Sequence, residues 1–73
     1  MVDGAVRSPS VGRVIEVLVA VGEAVAAGQE VAVVESMKVE IPVTAERGGR
    51  VVGIAVAAGA TVRAGDLLLT VVG

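Results

Sequence analysis

The chain has 73 residues, a formal net charge of −2 and an apolar content of 55%, and it contains no aromatic residue, histidine or cysteine. This length allows one domain, residues 1–73, with a small core and no large active-site cleft. Without His or Cys neither a zinc site nor an imidazole acid–base pair can form, and scattered arginines without aromatic residues predict no nucleic-acid binding.

The N-terminal residues carry no targeting pattern. Met1-Val2-Asp3-Gly4 lacks the basic region and following apolar segment of a secretory signal peptide. The sequence therefore predicts a cytoplasmic location. The longest apolar stretch, residues 51–62, is interrupted by Gly53, Gly59 and Thr61 and is too short to span a bilayer. No membrane partner is expected.

Valine and glycine dominate the first structured segment, residues 12–35. The whole chain has 19 valines and ten glycines, a composition that favours strands and disfavours helices. Within this segment Gly22 and Gly28 alternate with valines at a spacing of three, which is neither a helical period nor a simple strand alternation. We expect short strands that reverse direction at these two glycines, where the backbone needs positive φ.

A hairpin is predicted over residues 35–44. Val31 to Glu35 has strand composition, and Val39 to Val43 alternates with Glu40 and Pro42. A tight turn around Met37 and Lys38 joins these two strands.

The last segment, residues 49–72, repeats residues 12–35 at a spacing of 37, with ten of 24 positions identical against about three expected by chance. Two such halves can bury their apolar faces only against each other. The sequence therefore predicts an all-β fold, a flattened β-barrel or sandwich of two four-stranded halves with quasi-twofold symmetry. This symmetry places Lys38 at the end opposite the chain termini.

Lys38 is the only lysine in the chain, whose other cationic side chains are arginines. A lysine at a loop tip is ordinarily a solvated charge without a specific role. The neighbouring Met37 is apolar at a place where burial is least available, which is typical of a contact surface. Ser8, Ser10 and Ser36 have no base nearby that could activate them as nucleophiles.

The sequence Glu35-Ser36-Met37-Lys38, set between the two repeats, resembles the attachment motif of the biotinyl and lipoyl carrier domains. The resemblance extends from Ser8-Pro9 to Val71. In that family a dedicated ligase joins the cofactor to the ε-amine of the lysine at the hairpin tip, the position that Lys38 occupies. The resemblance implies a biotin protein ligase as a partner and the residues around Lys38, including Val39, as its recognition site.

The residues beside the lysine discriminate between the two cofactors in this family. Biotin carriers have Ala/Ser-Met-Lys-Met with Glu three residues before the lysine, whereas lipoyl domains have Asp before the lysine and Ala after it. Glu35, Ser36 and Met37 match the biotin pattern, and Val39 departs from it. The resemblance implies biotin covalently bound to Lys38, with lipoate as the alternative.

The function that the resemblance implies is that of a carrier without catalytic activity of its own. Such a carrier moves carboxyl groups between biotin carboxylase and carboxyltransferase active sites. The alternatives are a lipoyl carrier and an unmodified docking module of the same fold, which would gain no mass on Lys38. An autonomous enzyme is disfavoured because no nucleophile, base or metal cluster can be assembled from these residues.

Overall fold

Eight β-strands make up the secondary structure of residues 4–73, the part of the chain that the computed structural model describes. Numbered in chain order, they are β1 Ala5–Arg7, β2 Gly12–Val17, β3 Ala24–Val25, β4 Glu30–Ser36, β5 Val39–Thr44, β6 Gly49–Ile54, β7 Thr61–Val62 and β8 Leu67–Val72. None of these residues belongs to a helix long and apolar enough to cross a bilayer.

The strands form two four-stranded antiparallel sheets, with strand orders β1-β8-β6-β3 and β5-β4-β2-β7. The predicted all-β sandwich of two four-stranded halves is confirmed. Each sheet contains one short strand from the other repeat, namely β3 in the first sheet and β7 in the second. The two repeats are therefore interlocked through their shortest strands.

The register of the strands follows the 37-residue repeat. Val14 lies opposite Val34 in the β2–β4 ladder, and Val51 lies opposite Val71 in the β6–β8 ladder. Each ladder has its irregularity immediately after this pair. Two segments with ten identities in 24 residues thus adopt the same backbone path, which gives the domain its quasi-twofold symmetry.

The core between the sheets consists of small branched side chains, as the composition requires. Its largest fully buried members are Leu68, Leu69, Val14, Val31, Val34, Val51 and Val71. Valine has one preferred rotamer in a given backbone, so these side chains fill the thin interior with little loss of side-chain entropy on folding.

Type II turns reverse the chain where the sequence predicted them. In the turns at 26–29 and 63–66, Gly28 and Gly65 have φ values of 84° and 89°, and the next residue donates its backbone N–H to the first carbonyl of the turn. Gly22 and Gly59 occupy the same position in two further turns. In the turn at 63–66 the Asp66 carboxylate accepts a hydrogen bond from the Arg63 backbone N–H at 2.8 Å, which gives this side chain a structural role.

Replacing Gly28 or Gly65 with valine is expected to lower the free energy of unfolding by about 1 to 3 kcal/mol. No heavy atom lies within 4 Å of a Cβ built at either position, so the loss comes from the backbone conformation alone. Gly53→Val is the matched control, because this site is equally open and has no positive φ. Chemical denaturation measures all three variants, and equal midpoints would contradict the turn assignment.

The first and last described residues lie together at one end of the sandwich. The Val71 N–H donates to the Gly4 carbonyl at 2.9 Å, and Gly73 lies so near Gly48 that a Cβ built on it would be 3.1 Å from the Gly48 carbonyl oxygen. Residues 45–48 follow the end of β5, and Ala45 exchanges backbone hydrogen bonds with Gly28 and Gln29 beside the start of β4. Gly4 and Gly73 therefore lie at the base of the β4–β5 hairpin, opposite its tip.

Candidate cofactor-attachment site

The tip of the β4–β5 hairpin is a two-residue turn formed by Met37 and Lys38. Ser36 and Val39 are the last paired residues of β4 and β5, so only Met37 and Lys38 connect the two strands. Met37 has φ 52° and Lys38 has φ 67°. Positive φ at both central residues is the conformation of a type I′ turn, whose twist matches that of the flanking strands.

This turn places two ordinary L-residues in the left-handed region, where glycine or asparagine is usual. Each such residue is destabilised by about 1–2 kcal/mol relative to a right-handed conformation. The six paired positions between β4 and β5, from Glu30↔Thr44 to Ser36↔Val39, hold the turn in this conformation. The backbone of the turn thus directs the side chains of Met37 and Lys38 away from the end of the sheet.

The side chains at the tip are open to solvent. Met37 is 93% exposed and Val39 is 61% exposed, and Lys38 is exposed between them. Within residues 4–73 the Lys38 amine forms no hydrogen bond and no ion pair. Its primary amine therefore meets the two requirements for acylation by a large enzyme, namely access from outside and no competing partner.

Glu35 lies behind the tip on the outer face of the sheet. In the strand register it stands opposite Glu40 on β5 and opposite Arg13 on β2. The Glu35 Oε1 and Arg13 Nη2 atoms are 4.0 Å apart, and both side chains are more than a third exposed. A solvated ion pair of this length stabilises a protein little, and two carboxylates directly opposite each other repel. Glu35 therefore contributes charge near Lys38 more than it contributes stability.

Ser36 connects the tip to a segment that sequence reasoning did not place there. Its hydroxyl lies 3.2 Å from the Ser10 hydroxyl, in the connection between β1 and β2. The sequence signal that could have suggested this contact is the repeat, because residues just before Gly12 must approach the β4 strand with which β2 pairs. Val11, next to Ser10, adds an apolar side chain that is 61% exposed.

The structure brings all five predicted site residues, Glu35 to Val39, to one hairpin end, with Met37 and Lys38 in the turn itself. Their roles in ligase recognition stay a prediction. Biotin or lipoate bound through an amide needs no enclosing cavity, only a reachable amine, and Lys38 fits this requirement. Among residues 4–73 no three Asp, Glu, His or Cys side chains group in a way that could hold a metal ion.

Comparison with known proteins gives the family of this chain. Residues 4–71 match the biotin/lipoyl family model, whose description is "Biotin-requiring enzyme". The chain belongs to this family, and the predicted resemblance is confirmed.

Two relatives and one solved structure illustrate the range of proteins that contain a similar domain. The alpha chain of human mitochondrial propionyl-CoA carboxylase is 47% identical over 63 residues, which are 86% of this chain and 9% of that one. The biotin/lipoyl attachment protein of Bacillus subtilis is 45% identical over 58 residues, 80% of each chain. The crystal structure of Kluyveromyces lactis urea carboxylase superposes with a TM-score of 0.87 at 38% identity, covering 93% of this chain and 6% of that one.

Proposed function

We propose that this chain is a biotin carrier domain that holds the cofactor in an amide bond to Lys38. The observation that carries the proposal is the sole lysine of the chain, exposed and without a partner among the described residues, on a two-residue turn that projects from the sheet. In the attachment reaction the deprotonated Nζ attacks an activated carboxyl carbon of biotin. A C–N bond forms, the activating group leaves with its oxygen, and the amine loses a proton. A biotin protein ligase supplies the activated cofactor.

Biotin is favoured over lipoate by the family description and by the motif. Glu35, Ser36 and Met37 agree with the pattern of biotin carriers, and relatives of high identity include the alpha chain of a carboxylase. Val39 departs from the second methionine of that pattern. It lies exposed beside Lys38 and pairs across the turn with Ser36, so it belongs to the surface that a ligase would contact.

The proposed role is carriage, with the chemical steps performed by partner enzymes. When attached, biotin supplies a ring that accepts a carboxyl group at a biotin carboxylase and releases it at a carboxyltransferase. The contribution of this chain is the position of Lys38, whose side chain extends into solvent from a tip that is held by the β4–β5 ladder. A group on such a tether stays at high effective concentration near each active site that the domain visits. We assign no catalytic step to residues of this chain.

Mass measurement after co-expression tests the proposal. The chain is produced with a biotin protein ligase, with a lipoate ligase, and with neither, and each product is analysed as intact protein and by peptide mapping. We expect one biotinyl group, located on the peptide that contains Lys38, in the first sample and no addition in the third. A lipoyl group alone would change the cofactor, and no addition in any sample would favour an unmodified docking module.

A further inference from the structure

Three serines form a continuous hydrogen-bonded connection beside the hairpin tip. Ser8 is buried, with 3% exposure, and its Oγ donates to the Ser10 carbonyl at 2.7 Å. The Ser8 backbone is fixed by hydrogen bonds with the turn at residues 63–66, from Ser8 N–H to Asp66 O and from Gly65 N–H to Ser8 O. The connection therefore begins at a rigid turn of the second repeat.

The connection ends at Ser36, the last residue before the turn of Met37 and Lys38. Ser10 Oγ lies 3.2 Å from Ser36 Oγ and 3.3 Å from the Val11 carbonyl oxygen. A hydroxyl has one hydrogen, so both contacts are satisfied together only when Ser36 Oγ donates to Ser10 Oγ and Ser10 Oγ donates to Val11. This direction is compatible with the bond from Ser8, which uses the Ser10 carbonyl.

The internal repeat supplies a control for the importance of these hydroxyls to the fold. At the opposite end of the sandwich, 37 residues away, Ala45, Arg47 and Gly73 occupy the positions of Ser8, Ser10 and Ser36. The backbone hydrogen bonds are the same at both ends, because Ala45 bonds to Gly28 and Gln29 as Ser8 bonds to Gly65 and Asp66. The backbone arrangement thus forms without the hydroxyls, which occur only at the end that carries Lys38.

We propose that Ser10 and Ser36 are positioning residues that hold the strained turn of Met37 and Lys38 in the orientation that the modifying ligase binds. Among the described residues, neither serine forms a hydrogen bond with the Lys38 amine. The hydrogen bond between their hydroxyls restrains Ser36. A restrained Ser36 limits the alternative conformations of Met37 and Lys38, the two left-handed residues that follow it. This inference rests on the proposed function of Lys38 as the attachment point.

Two measurements on Ser10→Ala, Ser36→Ala and the double variant test the proposal. The first is ¹⁵N relaxation, in which we expect the order parameters of the Met37 and Lys38 amides to fall from about 0.85 toward 0.6 while those of β4 stay unchanged. The second is the kinetics of biotin attachment with purified ligase. We expect the KM for the carrier to rise about two- to tenfold with kcat unchanged, because a smaller fraction of the carrier holds the turn in its binding conformation.

The double variant is expected to match Ser10→Ala, which already removes both the hydrogen bond to Ser36 and the hydrogen bond to the Val11 carbonyl. Ser10→Thr, which keeps a hydroxyl, is expected to restore the wild-type KM. Thr44→Ala removes an exposed hydroxyl at the base of the same hairpin and is expected to change neither measurement.

Wild-type order parameters and KM in Ser10→Ala and Ser36→Ala would overturn the proposal. A lower melting temperature without a change at the tip would also overturn it, because the hydroxyls would then act only in stability. Failure of the wild-type chain to accept biotin would refute the proposed function, whereas the relaxation measurement would still decide whether the two serines order the turn.

Discussion

Lys38→Arg is expected to abolish the attachment of biotin completely while changing the free energy of unfolding by less than about 0.5 kcal/mol. Arginine keeps the length and the positive charge of the side chain, but its guanidinium stays protonated and cannot attack an activated carboxyl carbon. The Lys38 amine forms no hydrogen bond and no ion pair within residues 4–73, so its replacement removes neither kind of interaction. Intact mass after co-expression with the ligase and thermal denaturation measure the two effects.

A second substitution tests whether the ligase selects Lys38 for its position on the turn or only because its amine is exposed. Arg63 lies exposed at the start of the turn at 63–66, near the same end of the sandwich. In the double variant Lys38→Arg/Arg63→Lys we expect no biotin, because the introduced amine would not stand on an outward two-residue turn. Biotin at position 63 would show that the ligase requires only an accessible amine, and biotin on Lys38→Arg alone would contradict the assignment of the site.

Gly12→Ala is expected to lower the free energy of unfolding by about 3 kcal/mol or more. Gly12 begins β2, where the backbone approaches β4 so closely that a Cβ would overlap the Glu35 carbonyl oxygen and would contact a Val34 methyl group at 3.2 Å. The colliding atom belongs to the backbone of a central strand, so relief requires displacement of the ladder that leads to the hairpin tip. Urea denaturation measures the loss.

The repeat provides both a parallel case and a control for this prediction. Gly49 occupies the equivalent position in β6, and its Cβ would meet the Val72 carbonyl group, so Gly49→Ala is expected to be similarly harmful. Gly53 in the same strand has open space around it and no positive φ, and Gly53→Ala is expected to stay within about 0.5 kcal/mol of wild type. Equal stability of all three alanine variants would show that the close approach of the strands is not a constraint.

The sequence predicted the sandwich and the position of Lys38 at a hairpin tip because both depend on the spacing of residues along the chain. The glycine period set the turns, the 37-residue repeat set the symmetry, and together they placed Lys38 opposite the chain ends. The strand exchange through β3 and β7 could not be predicted, since two-residue strands carry no hydrophobic pattern. The identity of the cofactor came from the resemblance to a family, because the turn itself would present any acyl group equally well.

Sequence reasoning also did not predict the contact between Ser10 and Ser36. The two residues are 26 positions apart, and nothing in the properties of serine distinguishes a hydroxyl that positions a turn from one that faces water. Sequence reasoning considered Ser10 and Ser36 as nucleophiles, a role for which they have no activating base, and Ser36 also as a residue that flanks the attachment lysine. The positive φ of Met37 was similarly hidden, since methionine has no preference for the left-handed region and adopts it here because the hairpin allows only two residues in its turn.

Gly4 and Gly73 lie at the same end of the sandwich, and Lys38 lies at the other end. A polypeptide joined at Gly73, two residues after Val71, would leave from beside Gly48, and the Val71 N–H donates to the Gly4 carbonyl. Rotation of the domain about that joined end would carry Lys38 along an arc with a radius of about 20 Å, which is the length of β4. The length of the Lys38 side chain adds to this radius. A rigid body of this kind lengthens the travel of a bound group without adding flexible residues.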